Sequence, residues 1–450
     1  DRCVTTDETK RFAERTVREA LAAGAETAEV TVLERLEFTA EVRKGSIEKL
    51  IESVSNTIDI TLSVDKRKAL VSSSDLSAES VSSLITEGVE LAKVMDRDEY
   101  FGLPEATELG AAPGELAIFD EESHAMPAER KIALALELER HALAMDRRII
   151  PDGSAFSNSA RTIAFANSLG FCEAYRRTSH SLAVSCAVED TPANGENIGK
   201  RQSSYWYSTA IRARDLEPTA EIASKAVSRT LRKIGARKPK TCEVPVVFDP
   251  ETTRDLLESI ASAASGGHIY RKSSFLVDRL GTQVGSALVT IVDDALMPGR
   301  LGSRPFDLEG VRSRRTTAFE RGVLRSYLLS SYQARKLTLA TTGNAGGISN
   351  FQLLPGPSTS DEILASVSQG LYLTALSGPG ANWMTGDFSQ GAQGFWIEGG
   401  ELAYPVDEFT IAGSFPAMLA GVVMVGKDVD WRSPIAAPTI KIERMTLSGT

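Results

Sequence analysis

Apolar residues in the first half of the chain recur at two spacings, and the switches between them lay out the elements. Phe12, Ala13, Thr16, Val17, Ala20 and Leu21 fall on one stripe of a helix over residues 8–23, which Gly24 ends. Val30 and Val32, then Phe38, Ala40 and Val42, alternate as a strand, and Ile58, Ile60, Leu62 and Val64 alternate as another. Val81, Leu84, Ile85, Val89, Ala92 and Met95 return to helical spacing. Residues 97–127 are polar, carry Pro104, Pro113 and Pro127, and predict a long loop. Over residues 128–146 period and propensity disagree. Ile132, Leu134, Leu136 and Leu138 alternate, but a run this long and this rich in Ala, Leu, Glu and Arg predicts a helix. Residues 160–190 predict a hairpin turning near Asn167-Ser168-Leu169-Gly170, and residues 219–234 a helix closed by Gly235.

The short basic connection Gly235 to Lys240 divides the chain. After it, Val244 to Phe248 reads as a buried strand, and Asp249-Pro250 starts a helix in the favoured way, with proline in the first turn. That helix runs to about Ala264 and is expected to end at Gly266-Gly267. Many short strands follow, with hairpin turns at Glu320-Arg321-Gly322 and Glu398-Gly399-Gly400-Glu401. The strip Thr385 to Val406 is dense in glycine yet alternates apolar residues, with Phe395 and Ile397 on one strand face and Trp396 on the other. This pattern marks bulges and close backbone approach rather than a linker. The expected fold class is therefore α+β: an N-terminal α/β domain over residues 1–240, followed by a sheet-rich, mainly antiparallel C-terminal domain over 241–450.

Composition narrows the function classes. The 450 residues are 42% hydrophobic and 24% charged, enough for two or three ordinary domains. No apolar run reaches the length of a membrane helix, and Asp1-Arg2-Cys3 opens no secretory signal. Cys3, Cys172, Cys186 and Cys242 are scattered and form no CxxC pair, which disfavours a zinc ribbon or redox motif. Cys186 lies in the alternating run His180, Leu182, Val184, Cys186, Val188 and reads as a reduced core thiol, which suits a cytoplasmic location. A net charge of −10 argues against a general nucleic-acid binder. The acidity is concentrated early, with 28 acidic and 15 basic side chains in residues 1–130, which suits either a solvated face or a partner surface.

The chemistry is told mostly by absences. Of His124, His141, His180 and His268, none is followed by Glu and no two lie within six residues, so no single-helix zinc motif exists. No GxSxG elbow, phosphate loop or dinucleotide fingerprint appears. Gly343-Asn344-Ala345-Gly346-Gly347 lacks the lysine of a phosphate loop. His268 precedes Tyr270, Arg271 and Lys272, a cluster suited either to an anion or to compensating a helix C-terminus. Asp293-Asp294 suits either a metal or a strand end, and Arg300, Arg304, Arg312, Arg314 and Arg315 form a basic cluster able to meet the acidic early residues.

GGHIYRKSSFLVDRLG (266–281), SRPFDLEGV (303–311), TTGNAGGISN (341–350), TGDFSQGAQGFWIE (385–398) and YPVDEFTIAG (404–413), in this order and spacing, resemble the TldD/PmbA family. The resemblance spans essentially the whole chain and is most specific after about residue 243. It implies two branches: TldD-type metallopeptidases, whose zinc is held by an HExxxH helix and a later Cys, and PmbA-type subunits, also called TldE, which lack those ligands and pair with TldD. The chain resembles the PmbA branch. Counting back from Arg271-Lys272, the zinc-helix positions are occupied by Glu258, Ser259 and Ala263, and no cysteine follows Cys242.

The resemblance implies a non-catalytic subunit with no catalytic residue, metal or cofactor of its own, zinc being expected in a TldD-type partner. It implies a heterodimer, or a homodimer when alone, that admits peptide or unfolded protein to a channel, with no nucleic-acid or membrane partner. The older family name, modulator of DNA gyrase, then denotes an indirect effect. Candidate channel residues are His268, Tyr270, Arg271, Asn344 and Asp387. Two alternatives stand beside this reading: an independent hydrolase using His268, Asp387 or a cysteine, and a non-enzymatic binding or scaffold protein.

Overall fold

The computed structural model describes residues 5–190 and 200–449; Cys3 lies outside them. In the N-terminal half the elements run α1 (Thr6–Ala22), β1 (Thr27–Arg43), β2 (Ser46–Val64), β3 (Arg67–Ser73), α2 (Ala78–Val94), α3 (Glu121–His124), α4 (Ala128–Met145), β4 (Ile150–Asn167), β5 (Cys172–Glu189), β6 (Arg201–Ala210) and α5 (Thr219–Leu231). The six strands make one sheet in the order β3-β2-β1-β4-β5-β6, antiparallel at every junction. Four of these strands are three times the usual strand length, and the sheet has two unlike faces. One face is apolar: Val30, Val32, Ile58, Ile60 and Leu62 pack under α1 and α2. Further along, Phe38, Ala40, Phe156, Leu182, Val184 and Cys186 pack under α4 and α5. The alternate residues, Glu29, Arg35, Glu37, Ser157, Arg161 and Arg177 among them, form a polar face.

Residues 128–145 are helical as propensity predicts, with Ala135, Leu138 and Ala142 buried at helical spacing. Cys186 is buried, and desolvation pushes its thiol up to about 11, in keeping with an inert core cysteine. Outside the body, β3 covers only Ile58–Val64 of β2. The outer edge of residues 46–57 therefore carries no strand among the described residues, and Ile47, Leu50, Ile51 and Val54 on it are exposed.

The C-terminal half runs β7 (Cys242–Phe248), α6 (Pro250–Ala264), α7 (Gly266–Tyr270), β8 (Ile291–Asp294), β9 (Arg315–Glu320), β10 (Val323–Leu324), α8 (Ser331–Leu337), β11 (Phe351–Leu353), α9 (Ser360–Ala365), β12 (Gln369–Ser377), β13 (Asp387–Glu398), β14 (Glu401–Ser414), α10 (Phe415–Ala420), β15 (Val422–Val425), β16 (Ile435–Ala436) and β17 (Ile440–Ser448). Two sheets result, ordered β10-β9-β8-β11-β16 and β14-β13-β12-β7-β17-β15, with parallel pairs only at β11/β16 and β7/β12. The whole is α+β with a strand-rich C-terminal region, and α6 lies in the core between its two sheets, through Leu256, Leu257 and Ile260. The expected turn at Gly399-Gly400 joins β13 to β14, both glycines at positive φ (60° and 83°). Gly394 sits at a register shift where a Cβ would come 2.1 Å from the Tyr372 carbonyl oxygen, so here the glycine is a steric requirement. Trp396 and Ile397 are both buried, because this strand is covered on both faces rather than one.

A charged cluster joins the two halves. Glu251, 7% exposed on α6, accepts Arg229 of α5 at 2.5 Å and lies 3.7 and 3.8 Å from Arg254 and Arg432. Arg432 also pairs with Asp430 at 2.6 Å and lies 3.6 Å above the Trp206 ring of β6. Arg254 reaches the Tyr207 hydroxyl of β6 at 2.9 Å.

Candidate functional site

Where the polar face of the N-terminal sheet approaches the C-terminal region there is a cleft of about 1430 Å³. Four segments build it. Glu29, Thr61 and Lys68 come from the sheet, and residues 95–102 from the loop after α2. Glu258, Ala261, Ser262, Ser265 and His268 come from α6 and α7, and Tyr332, Lys336 and the 344–348 loop close the far side. The long loop is not free. Arg335 of α8 donates to the carbonyls of Tyr100, Gly102 and Leu103 at 2.7, 2.5 and 3.1 Å, and the Tyr332 hydroxyl donates to Asp98 at 2.7 Å. The tyrosine, the Tyr100 amide, Lys336 and Arg335 together hold Asp98 below the usual carboxylate range, against its desolvation. Helix α8 is placed by a capping box of Ser330 and Gln333.

The glycine-rich loop is held from below. Buried Asp293 accepts the Asn344 amide at 2.7 Å, and the Ser349 amide and hydroxyl at 2.7 and 2.8 Å. Burial nevertheless pushes its carboxyl up. Asp307 accepts the amides of Glu309, Val311 and Ala345 at 2.9, 3.0 and 2.9 Å, and burial followed by Glu309 pushes it up to about 6. Asp293-Asp294 is thus a strand end whose first carboxylate organises a loop, not a metal pair. The basic cluster is dispersed: Arg314 pairs with Glu108 of the long loop, Arg315 lies 4.0 Å from Asp294, and Arg300 sits over Trp431. One arginine therefore meets the acidic early region within the same chain.

Of the residues singled out from the sequence, His268 and Asn344 line the cleft. The His268 Nδ1 lies 3.1 Å from the Ser273 hydroxyl, and its ring 5.3 Å from Trp383. It stands inside the short helix α7 rather than at the end of α6, because Ser265 is extended and Gly266 starts a new turn. Gly266 is required there, since a Cβ would come 2.6 Å from Leu329 and Gln333. Tyr270 borders a neighbouring depression beside Val277 and Tyr327, with Arg271 stacked 5.3 Å over its ring. Asp387 is exposed at the start of β13, where it takes the Thr385 hydroxyl at 2.6 Å, and it does not line the cleft.

At the zinc-helix positions, Glu258 points into the cleft, Ser259 turns its hydroxyl back to the Asp255 carbonyl at 3.3 Å, and Ala263 is fully buried. Among the described residues no group of three or more His, Cys, Asp or Glu is disposed to hold a metal. These donors do not fit a zinc ion.

Glu29 is the group that sequence reasoning missed. Its Oε1 is sealed from solvent with no hydrogen-bond partner, and burial, then Glu309, pushes the carboxyl up to about 8 against the pull of Lys68. The sign of the resulting pH dependence follows. The folded state holds this proton far more tightly than the unfolded chain, whose carboxyl titrates near 4.5. Stability from Glu29 is fully present below that value and is lost as pH rises toward 8, at about 1.4 kcal/mol per pH unit. Glu29→Gln should therefore gain on the parent progressively between pH 5 and pH 8 and hold a constant lead above it. Urea unfolding at pH 5, 7 and 9 measures this, and a lead that does not change with pH would refute the assignment.

Residues 241–449 match the family model of the PmbA/TldA metallopeptidase C-terminal domain, and residues 121–234 that of the central domain. The chain is 34% identical over 427 residues to Metalloprotease PmbA of Escherichia coli O157:H7, covering 94% of this chain and 92% of the relative. It is 27% identical over 354 residues to a metalloprotease TldD homologue of Haemophilus influenzae, covering 72% of each. A crystal structure of a candidate modulator of DNA gyrase from Bacteroides thetaiotaomicron superposes over 100% of both chains with a TM-score of 0.93 at 27% identity. TldE from Thermococcus kodakarensis superposes with a TM-score of 0.85 at 21% identity, covering 97% of this chain and 99% of that one, a likeness of fold alone. No helix among the described residues is long and apolar enough to cross a membrane.

Proposed function

Because the chain belongs to the PmbA/TldD metallopeptidase family, we propose that it is a PmbA/TldE-type subunit. It takes an extended peptide into the cleft and shapes the channel that leads to the zinc of a TldD-type partner in the cytoplasm. One observation carries this reading. The helix that would hold the metal faces a large, ordered cleft, yet offers it Glu258, Ala261 and Ser262 in place of imidazoles. A cleft kept while its metal donors are absent suits binding rather than bond cleavage. The glycine-rich 344–348 loop, which lines the cleft, allows close approach of a peptide main chain. The uncovered apolar edge of β2 supports assembly, since an edge of that length is normally covered by a partner. With no TldD-type subunit present, a second copy takes the partner's place.

The test uses the purified chain and its native cell. Co-purification is expected to recover an HExxxH-bearing protein, and the isolated chain is expected to bind extended peptides without cleaving them and without stoichiometric zinc. Stoichiometric zinc together with cleavage that persists after any partner is removed would sink the proposal.

A further inference from the structure

Across the polar face of the N-terminal sheet, three arginines stand in one row. Arg35 of β1 is opposite Arg161 of β4, and Arg161 is opposite Arg177 of β5. Like charges directly across a sheet repel, so a row of three costs stability unless something answers it. Within the chain little does. Arg35 pairs with Glu37, which shares its 38% exposure, and its Nε has no partner. Arg177 donates to the Leu301 carbonyl, which carries no charge. Arg161 has a buried, unpartnered Nε and makes no hydrogen bond among the described residues.

Arg304 adds a fourth guanidinium from the far side. Its Nη2 reaches the Gly347 carbonyl at 2.6 Å, and its Nε is also unpartnered. Burial, then Arg35, lowers the proton affinity of Arg161, and burial, with Arg161 and Arg304 behind it, lowers that of Arg177. The nearby carboxylate of Asp307 is already taken by three backbone amides. Four guanidiniums thus face one ion-paired carboxylate, in a chain whose net charge is −10.

We infer that this arginine row binds carboxylates of an acidic segment of the peptide held by the cleft. The inference rests on the peptide-binding reading above and adds a substrate preference to it. The same face of β1 that gives Glu29 to the cleft gives Arg35 six residues further on, about 20 Å along an extended chain, the length of a peptide of six or seven residues. Guanidinium forks suit carboxylates bidentately, and Arg35, at 38% exposure, is the member of the row that solvent reaches most clearly. A nucleic acid fits less well. The row is short, whereas a nucleic acid is held by neutralising many phosphates in succession.

The experiment measures binding of fluorescent extended peptides to the full chain: one with two adjacent glutamates, one with glutamines in their place, and a single-stranded oligonucleotide of similar length. The acidic peptide should bind at least about tenfold more tightly than the glutamine peptide, as expected for charge-assisted hydrogen bonds. Arg161→Gln should abolish that preference, and Arg161→Lys should restore part of it. Because Arg161→Gln also relieves repulsion within the row, its Tm should match or exceed the parent's, whereas a merely structural arginine would lower it.

Equal affinity for the two peptides overturns the arginine assignment and leaves peptide capture standing. Binding of neither peptide overturns both. Preference for the oligonucleotide overturns the choice of ligand, and a lowered Tm for Arg161→Gln with its preference intact overturns the role of the row.

Discussion

Glu251→Ala is expected to be the most damaging single substitution at the junction of the two halves, costing about 3–5 kcal/mol in the transition that separates them. The reason is the imbalance it leaves. With Glu251 present, Arg229, Arg254 and Arg432 share its two oxygens, and Asp430 answers Arg432. Without it, three nearby guanidiniums, two of them at most 15% exposed, retain one carboxylate among them. Arg432 cannot swing out to water, because it is packed over Trp206 and Tyr207. Arg254 is similarly held by the Tyr207 hydroxyl. Glu251→Gln keeps the shape and loses the charge, so it should fall between the two. Chemical denaturation followed by tryptophan fluorescence reads this directly, since Trp206 lies in the cluster. An alanine variant within about 1 kcal/mol of the parent would show that the arginines find solvent after all.

Asp293→Ala is expected to cost about 3–5 kcal/mol and to release the loop that walls the cleft. Three hydrogen bonds converge on this one carboxylate, from the Asn344 side chain and from both polar groups of Ser349. Asn344 is 7% and Ser349 1% exposed, so their donors would be stranded rather than hydrated. Asn344 keeps its contact with Thr342 and Ala345 its contact with Asp307, so the damage should centre on residues 344–349. Hydrogen exchange should accelerate there first, and peptide affinity should fall together with that protection. Unchanged protection at 344–349 would mean that Asp307 alone holds the loop.

Much of the chain is legible by eye because its periods are clean. The alternation of Ile58, Ile60 and Leu62 reports a one-sided strand, and the spacing of Leu256, Leu257 and Ile260 reports a helix with a buried stripe; both are where the pattern puts them. Several glycines of the family motifs meet backbone or a packed side chain, as Gly394 and Gly266 do, while Gly281 and Gly347 instead hold positive φ. The N-terminal wall of the cleft is illegible for a different reason. Glu29 is one of several glutamates at alternate positions of β1, and nothing local separates it from Glu37 or Glu41; only the approach of Glu309 and burial do so. The arginine row is hidden in the same way, since the alignment of Arg35 with Arg161 and Arg177 depends on the register of β1 against a hairpin over a hundred residues further on. Tyr270 and Asp387, expected in the channel from the resemblance, stand respectively beside a neighbouring depression and at an exposed strand start.

The order of the last sheet has a consequence for how the protein is made. Strand β7 is the first strand after the connection, yet it lies in the interior of its sheet, between β12 and β17. Its partner on one side, residues Ile440–Ser448, lies about 200 residues further along the chain. The N-terminal sheet has every strand it needs once Ala210 is synthesised, whereas β7 keeps one bare edge until Ile440–Ser448 has been made. At typical rates of about 5–20 residues per second, that edge and the apolar face of α6 stay open for ten seconds or more. A nascent chain of this protein therefore carries one finished half and one half that must be shielded, and the ribosome-bound interval is when chaperones matter most to it.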